Sequence, residues 1–232
     1  GKLREMLQKT AFCVSKEDSR YILTGVLMRL EEGRATFVGT DGKRLAMNHT
    51  NVEVDESLQG DYVIPIKAIE ELLKVLKESE EEVNIYLMGN KIAVTAENVT
   101  IVTKLLAGDF PDFARVIPQE AQKEVVLHRD ELISLLRQIS LFTGDSSHSV
   151  RFTFVEGELQ LTANNSHIGE GRVSMPVDYK GELLEIAFNP NFFLDILRHS
   201  KDESVNLGVI DSYSPGVIKD SSEALFVIMP MR

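Results

Sequence analysis

Lys2-Leu3-Arg4-Glu5-Met6-Leu7-Gln8-Lys9-Thr10-Ala11 places Leu3, Met6, Leu7 and Ala11 on one side of a helix. Residues at that spacing share a face because a helix turns once every ~3.6 residues. The pattern returns in the second half of the chain, where Leu132, Leu135, Leu136 and Ile139 form the same stripe. A second pair of stripes follows: Ile69, Leu72, Leu73 and Leu76, then Phe193, Ile196 and Leu197. The chain is therefore expected to contain one unit twice.

Between the helical stripes both halves read as strands. Tyr21 to Arg29 and Ala35 to Gly39 are rich in β-branched and apolar residues, and Val150 to Val155 and Leu159 to Thr162 answer them around a Glu156-Gly157 turn. Thr40-Asp41-Gly42 corresponds to Ala163-Asn164-Asn165, and both are expected to turn, since Asp, Asn and Gly tolerate positive φ. After the second helix come Val83 to Met88, Lys91 to Thr95 and Thr100 to Leu105, with Gly89-Asn90 as a hairpin turn. Their counterparts are Val205 to Ile210, Gly216 to Ile218 and Ala224 to Met229. Short turns between successive strands predict antiparallel sheets, and the helix stripes need a sheet face to cover. The expected fold is α+β: two similar domains, each an antiparallel sheet covered on one face by two helices. The polar stretch Pro118 to Lys123 breaks both periodicities and sets the expected domains at 1–119 and 120–232.

The 232 residues are 43% hydrophobic and 26% charged, which excludes a disordered chain. The longest apolar run, Ala224 to Met231, is too short to span a bilayer, so no membrane association is expected. The opening Gly1-Lys2-Leu3-Arg4-Glu5 is charged where a signal peptide would be apolar. A single cysteine, Cys13, makes neither an internal disulfide nor a thiolate zinc site, and a buried thiol in a cytoplasmic protein is expected. A net charge of −11 argues against gripping nucleic acid over the whole surface, though not against contact through one face. The acidic run Glu78 to Glu82 reads as a solvated loop.

Catalytic signatures are sparse. His49, His128, His148, His167 and His199 are scattered without metal-ligand spacing, and no phosphate-cradling glycine motif occurs. Ser146-Ser147-His148-Ser149 reads as a polar loop, because triad partners must converge in space. Asp41-Gly42 is a turn signal, although a hydrolase using Asp41 with a histidine is a rival reading. No catalytic residue, cofactor or metal is assigned. A peptide-binding interaction module is the other rival.

Four segments carry more specific information: Gly39-Thr40-Asp41-Gly42-Lys43-Arg44-Leu45-Ala46, Gly108-Asp109-Phe110-Pro111-Asp112-Phe113, Phe188-Asn189-Pro190 leading into Leu194-Asp195-Ile196-Leu197, and Val227-Ile228-Met229-Pro230-Met231-Arg232. In this order and spacing they resemble the β subunit of bacterial DNA polymerase III, the sliding clamp family. Subunits of that family have three similar domains, and two subunits close into a ring. The resemblance covers the second and third domains, and implies that the middle domain here lacks its first strand. It implies a processivity factor of replication, a non-catalytic subunit that slides on duplex DNA. Family ring closure sets the first domain against the third, so this chain alone is not expected to close the homodimeric ring.

The same resemblance implies where partners bind. DNA polymerase III alpha subunit, the clamp loader, other polymerases and mismatch-repair proteins would bring a linear clamp-binding motif to a pocket between the two domains. Its wall would use Leu23, Thr40, Gly42, Lys43, Arg44 and Leu45, then Pro111, Arg115 and Val116, then Val227, Met229, Pro230, Met231 and Arg232, with Tyr213 and Pro215 nearby. The chemistry agrees, since Leu, Val, Pro and adaptable Met suit apolar anchors of a linear motif. Arg44, Arg115 and Arg232 would be rim donors. Met-Pro-Met-Arg suits an exposed edge better than a buried strand, because Pro cannot donate to a ladder. Double-stranded DNA would be touched without sequence preference by helix cations: Lys67, Lys74, Arg137 and Arg198 foremost, with Arg20 and Tyr21 from a loop. Lys2, Arg4, Lys9, Lys77, Arg129 and Lys201 extend the same set.

Overall fold

The computed structural model describes residues 1–79, 81–119, 122–144 and 148–232. Glu80, Glu120, Ala121, Ser146 and Ser147 of the segments discussed above lie outside the described residues. The chain divides into two compact units, Gly1–Asp112 and Phe113–Arg232.

The first unit opens with helix α1 (Lys2–Ala11), then a 3-10 segment (Asp18–Thr24). Strands β1 (Gly25–Glu31), β2 (Arg34–Thr40), β3 (Arg44–Asn51) and β4 (Gly60–Pro65) form an antiparallel sheet in the order β4-β1-β2-β3. Helix α2 (Ile66–Val75) leads to β5 (Asn84–Met88), β6 (Lys91–Ala96) and β7 (Val99–Lys104), a second antiparallel sheet. The apolar stripe of α1 buries Met6 and Leu7, and that of α2 buries Ile69 and Leu72, in one core with Val26, Met28, Phe37, Ile64, Ile92 and Val94. Close approach of α1 to the sheet depends on Gly39: a Cβ there would lie 2.1 Å from the Thr10 carbonyl oxygen. Cys13 is fully buried.

The second unit opens with a 3-10 turn (Phe113–Val116) and β8 (Lys123–His128), followed by α3 (Arg129–Ser140). Strands β9 (Val150–Val155), β10 (Glu158–Asn165), β11 (Gly169–Pro176) and β12 (Leu184–Phe188) pair in the order β11-β10-β9-β12. That is the order of the first unit's sheet, strand for strand. Helix α4 (Pro190–His199) follows, with Pro190 at its first turn and the Asn189 side chain accepting from the Asn191 N–H at 3.0 Å. Then β13 (Ser204–Val209), β14 (Gly216–Lys219) and β15 (Leu225–Ile228) complete a sheet ordered β8-β13-β14-β15. Its core is aromatic: Phe193 stacks on Phe152 at 4.8 Å, and Phe188 meets both rings edge-on.

The duplicated helix-and-sheet pattern and the α+β class agree with expectation. Some local readings need correcting. Tyr21 to Thr24 belong to the 3-10 segment, so the strand starts at Gly25. Ala163 to Asn165 lie inside β10, held by pairing with Gly169 to Gly171, and the turn falls later. Strands β3, β4, β8, β11 and β12 had no separate signal: β3 mixes buried Leu45 and Ala46 with polar Asn48, His49 and Thr50. No helix is long and apolar enough to cross a membrane among the described residues.

Candidate functional site

The β2–β3 turn is built by its own side chains. Thr40 Oγ1 accepts from the Gly42 N–H at 3.1 Å and donates to the Arg44 carbonyl at 2.6 Å. Asp41 Oδ1 accepts from the N–H groups of Lys43 and Arg44 at 2.9 and 3.1 Å. This local network is what Asx and Ser/Thr turns supply. Gly42 sits at φ +86°, and a Cβ there would meet Arg20 Nη1 at 2.3 Å. Glycine therefore answers both a backbone and a space requirement, and Arg20 lies against this turn.

Arg44 departs from the expected rim role. It is 9% exposed; Nη2 donates to the Phe12 carbonyl at 3.2 Å, Nε lies 3.4 Å from Asp41 Oδ2, and the guanidinium stands over the Phe12 ring at 5.8 Å. A planar cation with an apolar face and a fork of donors suits that place. Arg44 braces the turn from behind, and Lys43, Gly42, Arg20 and Tyr21 form its exposed side. Leu23 and Leu45 are buried beneath. Phe12 had no sequence signal, because its part is played by a backbone carbonyl and a ring face. The same geometry accounts for Asp41: its carboxylate holds two N–H groups and an arginine, which is a turn residue's work and not that of an acid or base. Pro111 is exposed near the end of this unit, beyond Gly108 at φ +119°.

The second unit contributes two exposed edges. Arg115 and Val116 are exposed on the Phe113–Val116 turn, anchored by buried Phe113. After β15 the chain stays extended: Val227 is 1% exposed and Met229 36%, and the Met231 N–H donates to the Ala187 carbonyl of β12 at 2.7 Å. The tail is thus tied down at one backbone group while Met229 and Arg232 remain exposed. Tyr213 is 76% exposed on a loop shaped by Asp211, whose Oδ1 accepts from the N–H groups of Tyr213 and Ser214 at 2.8 and 2.6 Å. Those backbone donors hold the Asp211 carboxyl below the ordinary aspartate range. Pro215 is half-buried beside them.

The helix cations divide into two kinds. Lys74 pairs with Glu71 at 2.7 Å and Arg198 with Asp195 at 3.2 Å, whereas Lys67 and Arg137 are exposed with no ion pair among the described residues. Arg4 and Arg129 are not free to meet a polyanion. Their guanidinium groups donate to helix carbonyls, Arg4 to Leu73 and Leu76 and Arg129 to Leu197. Among the described residues no group of three or more His, Cys, Asp or Glu could hold a metal ion.

Taken together, fold and edges define a duplicated α+β protein in which each unit repeats one arrangement of two helices on antiparallel sheets and presents short exposed segments with apolar and cationic side chains. Comparison with known proteins names the class. The family description "DNA polymerase III beta subunit, central domain" matches residues 1–112, and "DNA polymerase III beta subunit, C-terminal domain" matches residues 114–232. The chain belongs to the DNA polymerase III beta subunit family. It is 60% identical over 230 residues to a beta sliding clamp of Chlamydia pneumoniae, covering 99% of this chain and 63% of that protein. Against the beta sliding clamp of Pseudomonas aeruginosa identity is 33% over 234 residues, covering 100% of this chain and 64% of that one. A crystal structure of the Pseudomonas aeruginosa DNA polymerase sliding clamp with ligand superposes with a TM-score of 0.94, covering 100% of this chain and 64% of the other at 33% identity. A Bartonella birtlesii sliding clamp bound to griselimycin gives 0.93 at 32% identity, covering 100% of this chain and 64% of that one. The chain thus spans about 63% of the length of the Chlamydia pneumoniae relative.

Proposed function

We propose that this chain is the partner-capturing portion of a bacterial replication clamp. In the longer protein a homodimeric ring encircles duplex DNA, slides on it, and tethers a polymerase so that it rebinds before diffusing away. The chain performs no chemistry of its own. Linear motifs of DNA polymerase III alpha subunit, the clamp loader, other polymerases and mismatch-repair proteins are captured by the turn 40–45 with Pro111, by Arg115 and Val116, and by the tail 227–232 with Tyr213 and Pro215. Duplex DNA is met by exposed helix cations, Lys67 and Arg137 first, through phosphate contacts that carry no sequence information.

The observation that carries this reading is the match of two clamp domain descriptions, in order, over residues 1–112 and 114–232. The geometry supports it: a braced turn and a pinned tail lose little entropy on binding a flexible peptide. The test is fluorescence polarisation of the full chain with a labelled peptide carrying a polymerase clamp-binding motif. Binding on the order of micromolar is expected, the range of small pre-organised peptide sites. Met229→Ala removes an exposed apolar contact, and Arg44→Ala frees the turn from Phe12; each should weaken binding about tenfold or more, roughly 1.4 kcal/mol. Unchanged affinity in both variants would remove the peptide assignment.

A further inference from the structure

We infer that the solvent face of the sheet formed by β5, β6 and β7 is a docking surface for an extended acidic peptide of a partner protein, which lays an apolar side chain over Ala93 and, two residues along, a carboxylate between Lys91 and Lys104. The register of the sheet defines that surface. Tyr86 lies opposite Ala93 and Ala93 opposite Val102, so the three form one row across the strands. Met88 opposite Lys91, and Lys91 opposite Lys104, form the next row on the same face. The reverse face is the core side, where Ile92 and Val94 are buried.

Tyr86, Met88 and Val102 are 53%, 49% and 56% exposed, while Ala93 is 4% exposed. Two large side chains therefore flank a small one and leave a shallow trough spanning two strand spacings, roughly 10 Å. Lys91 and Lys104 are exposed and stand directly opposite each other, an arrangement that costs stability when nothing lies between them. Neither has an ion pair among the described residues, and no Asp or Glu occupies an outward position of the three strands. An uncompensated pair of cations runs against the chain's net charge of −11. The fold does not demand this composition: in the second unit the row at the same place after the second helix is Asn206, Lys219 and Leu225, polar at its first two positions.

These features select the occupant. Alternate side chains of an extended chain share one side and lie about 6.8 Å apart. That is also the step from one row of the sheet to the next. A peptide running along β6 thus sets one side chain on Ala93, between Tyr86 and Val102, and the next but one between the two lysines. An apolar residue suits the first place, and a carboxylate suits the second, where it relieves the opposition of like charges. Single-stranded nucleic acid fits less well. The trough offers one aromatic ring where successive bases would stack on several, and an acidic chain repels a polyanion more than a segment with one or two carboxylates. Strand side chains stand off the sheet plane, so pairing at either edge strand leaves this face in place.

The experiment titrates the isotope-labelled full chain with the synthetic peptide Ser-Thr-Leu-Thr-Glu-Thr-Ser and follows the amide resonances. Shifts should concentrate at Tyr86, Met88, Lys91, Ala93, Val102 and Lys104. Peptides with serine for leucine, or glutamine for glutamate, should bind about fivefold more weakly, and so should the parent peptide to Lys91→Gln with Lys104→Gln. Tyr86→Ser with Val102→Ser should erase the preference for leucine over serine while circular dichroism stays folded. The lysine variant should keep parent affinity for the polymerase clamp-binding peptide, which separates this face from the site proposed above. Shifts confined to other residues, parent affinity in the lysine variant, or tighter binding of an oligothymidylate than of the peptide at these residues would overturn the docking surface.

Discussion

Arg4 Nη1 donates to the carbonyl of Leu76 at 2.6 Å, closing the C-terminal end of α2 with a side chain from α1. Arg129 does the same in the second unit, its Nε reaching the carbonyl of Leu197 in α4 at 2.8 Å. The last carbonyls of a helix have no partner within it and carry partial negative charge, so a guanidinium is a fitting cap. Each unit thereby locks its two helices together by the same device. Arg4→Ala should lower stability by about 1–3 kcal/mol, the usual cost of stripping a charged donor from partly buried acceptors. Arg4→Lys should recover only part, because the shorter, more strongly hydrated ammonium does not reach the position from which Nη1 bonds both the Leu73 and Leu76 carbonyls. Urea unfolding at unchanged m-value reads this out, and a parent midpoint for Arg4→Ala would contradict it.

Gly42→Ala tests the turn. The new Cβ would require positive φ and collide with Arg20 Nη1. A stability loss of about 1 kcal/mol is expected from the backbone alone. Displacement of Arg20 should also weaken peptide binding, measured by polarisation. Thr40→Val should act in the same direction, since Thr40 Oγ1 bonds both Gly42 and Arg44.

Asp211 gives a pH dependence with a definite sign. Its folded carboxyl titrates below the ordinary aspartate value of 3.8 because two backbone N–H groups favour the anion. The stabilisation of the 211–214 turn is therefore complete above that value and is lost as pH falls through the depressed folded one. NMR titration should show the Tyr213 and Ser214 amides moving together with an apparent pKa under 3.8. Movement centred above that value would contradict the assignment.

Duplex binding should depend unequally on the helix cations. Lys67→Gln with Arg137→Gln should flatten the slope of log affinity against log salt by about two phosphate contacts, near −0.9 each. Lys74→Gln should do less, since its charge is already opposed by Glu71 at 2.7 Å. Equal slopes for Lys67→Gln and Lys74→Gln would show that the ion pair does not hold in solution.

Phe193→Ala should be the costliest of these changes. The ring is fully buried and in contact with Phe152 and Phe188. A loss of about 3–5 kcal/mol is the expected scale for deleting a buried aromatic. Thermal unfolding checks it, with a shift under ~3 °C counting against the packing described.

The repeat was legible in the sequence because it rests on short-range periodicity. Leu3, Met6 and Leu7 answer Leu132, Leu135 and Leu136 whatever the rest of the chain does, and a helix spacing is written into neighbouring residues. The Asp41-Gly42 turn was legible for the same reason, since its bonds run within a few residues. Strands such as β3 and β11 were not, because a strand is held by partners far away in sequence and carries little propensity of its own. Cations were readable as residues but not as roles. Arg4, Arg44 and Arg129 look like solubilising surface charges until carbonyls from Leu76, Phe12 and Leu197 come within reach.

What the chain determined by itself was a duplicated α+β architecture and the segments that align with a clamp family, since both follow from the order and spacing of residues. Tertiary structure alone decided which cations face solvent and which hold backbone carbonyls, and it set β13 between β14 and β8. Hydrogen bonds between distant segments depend on three-dimensional closure, and no local pattern records them.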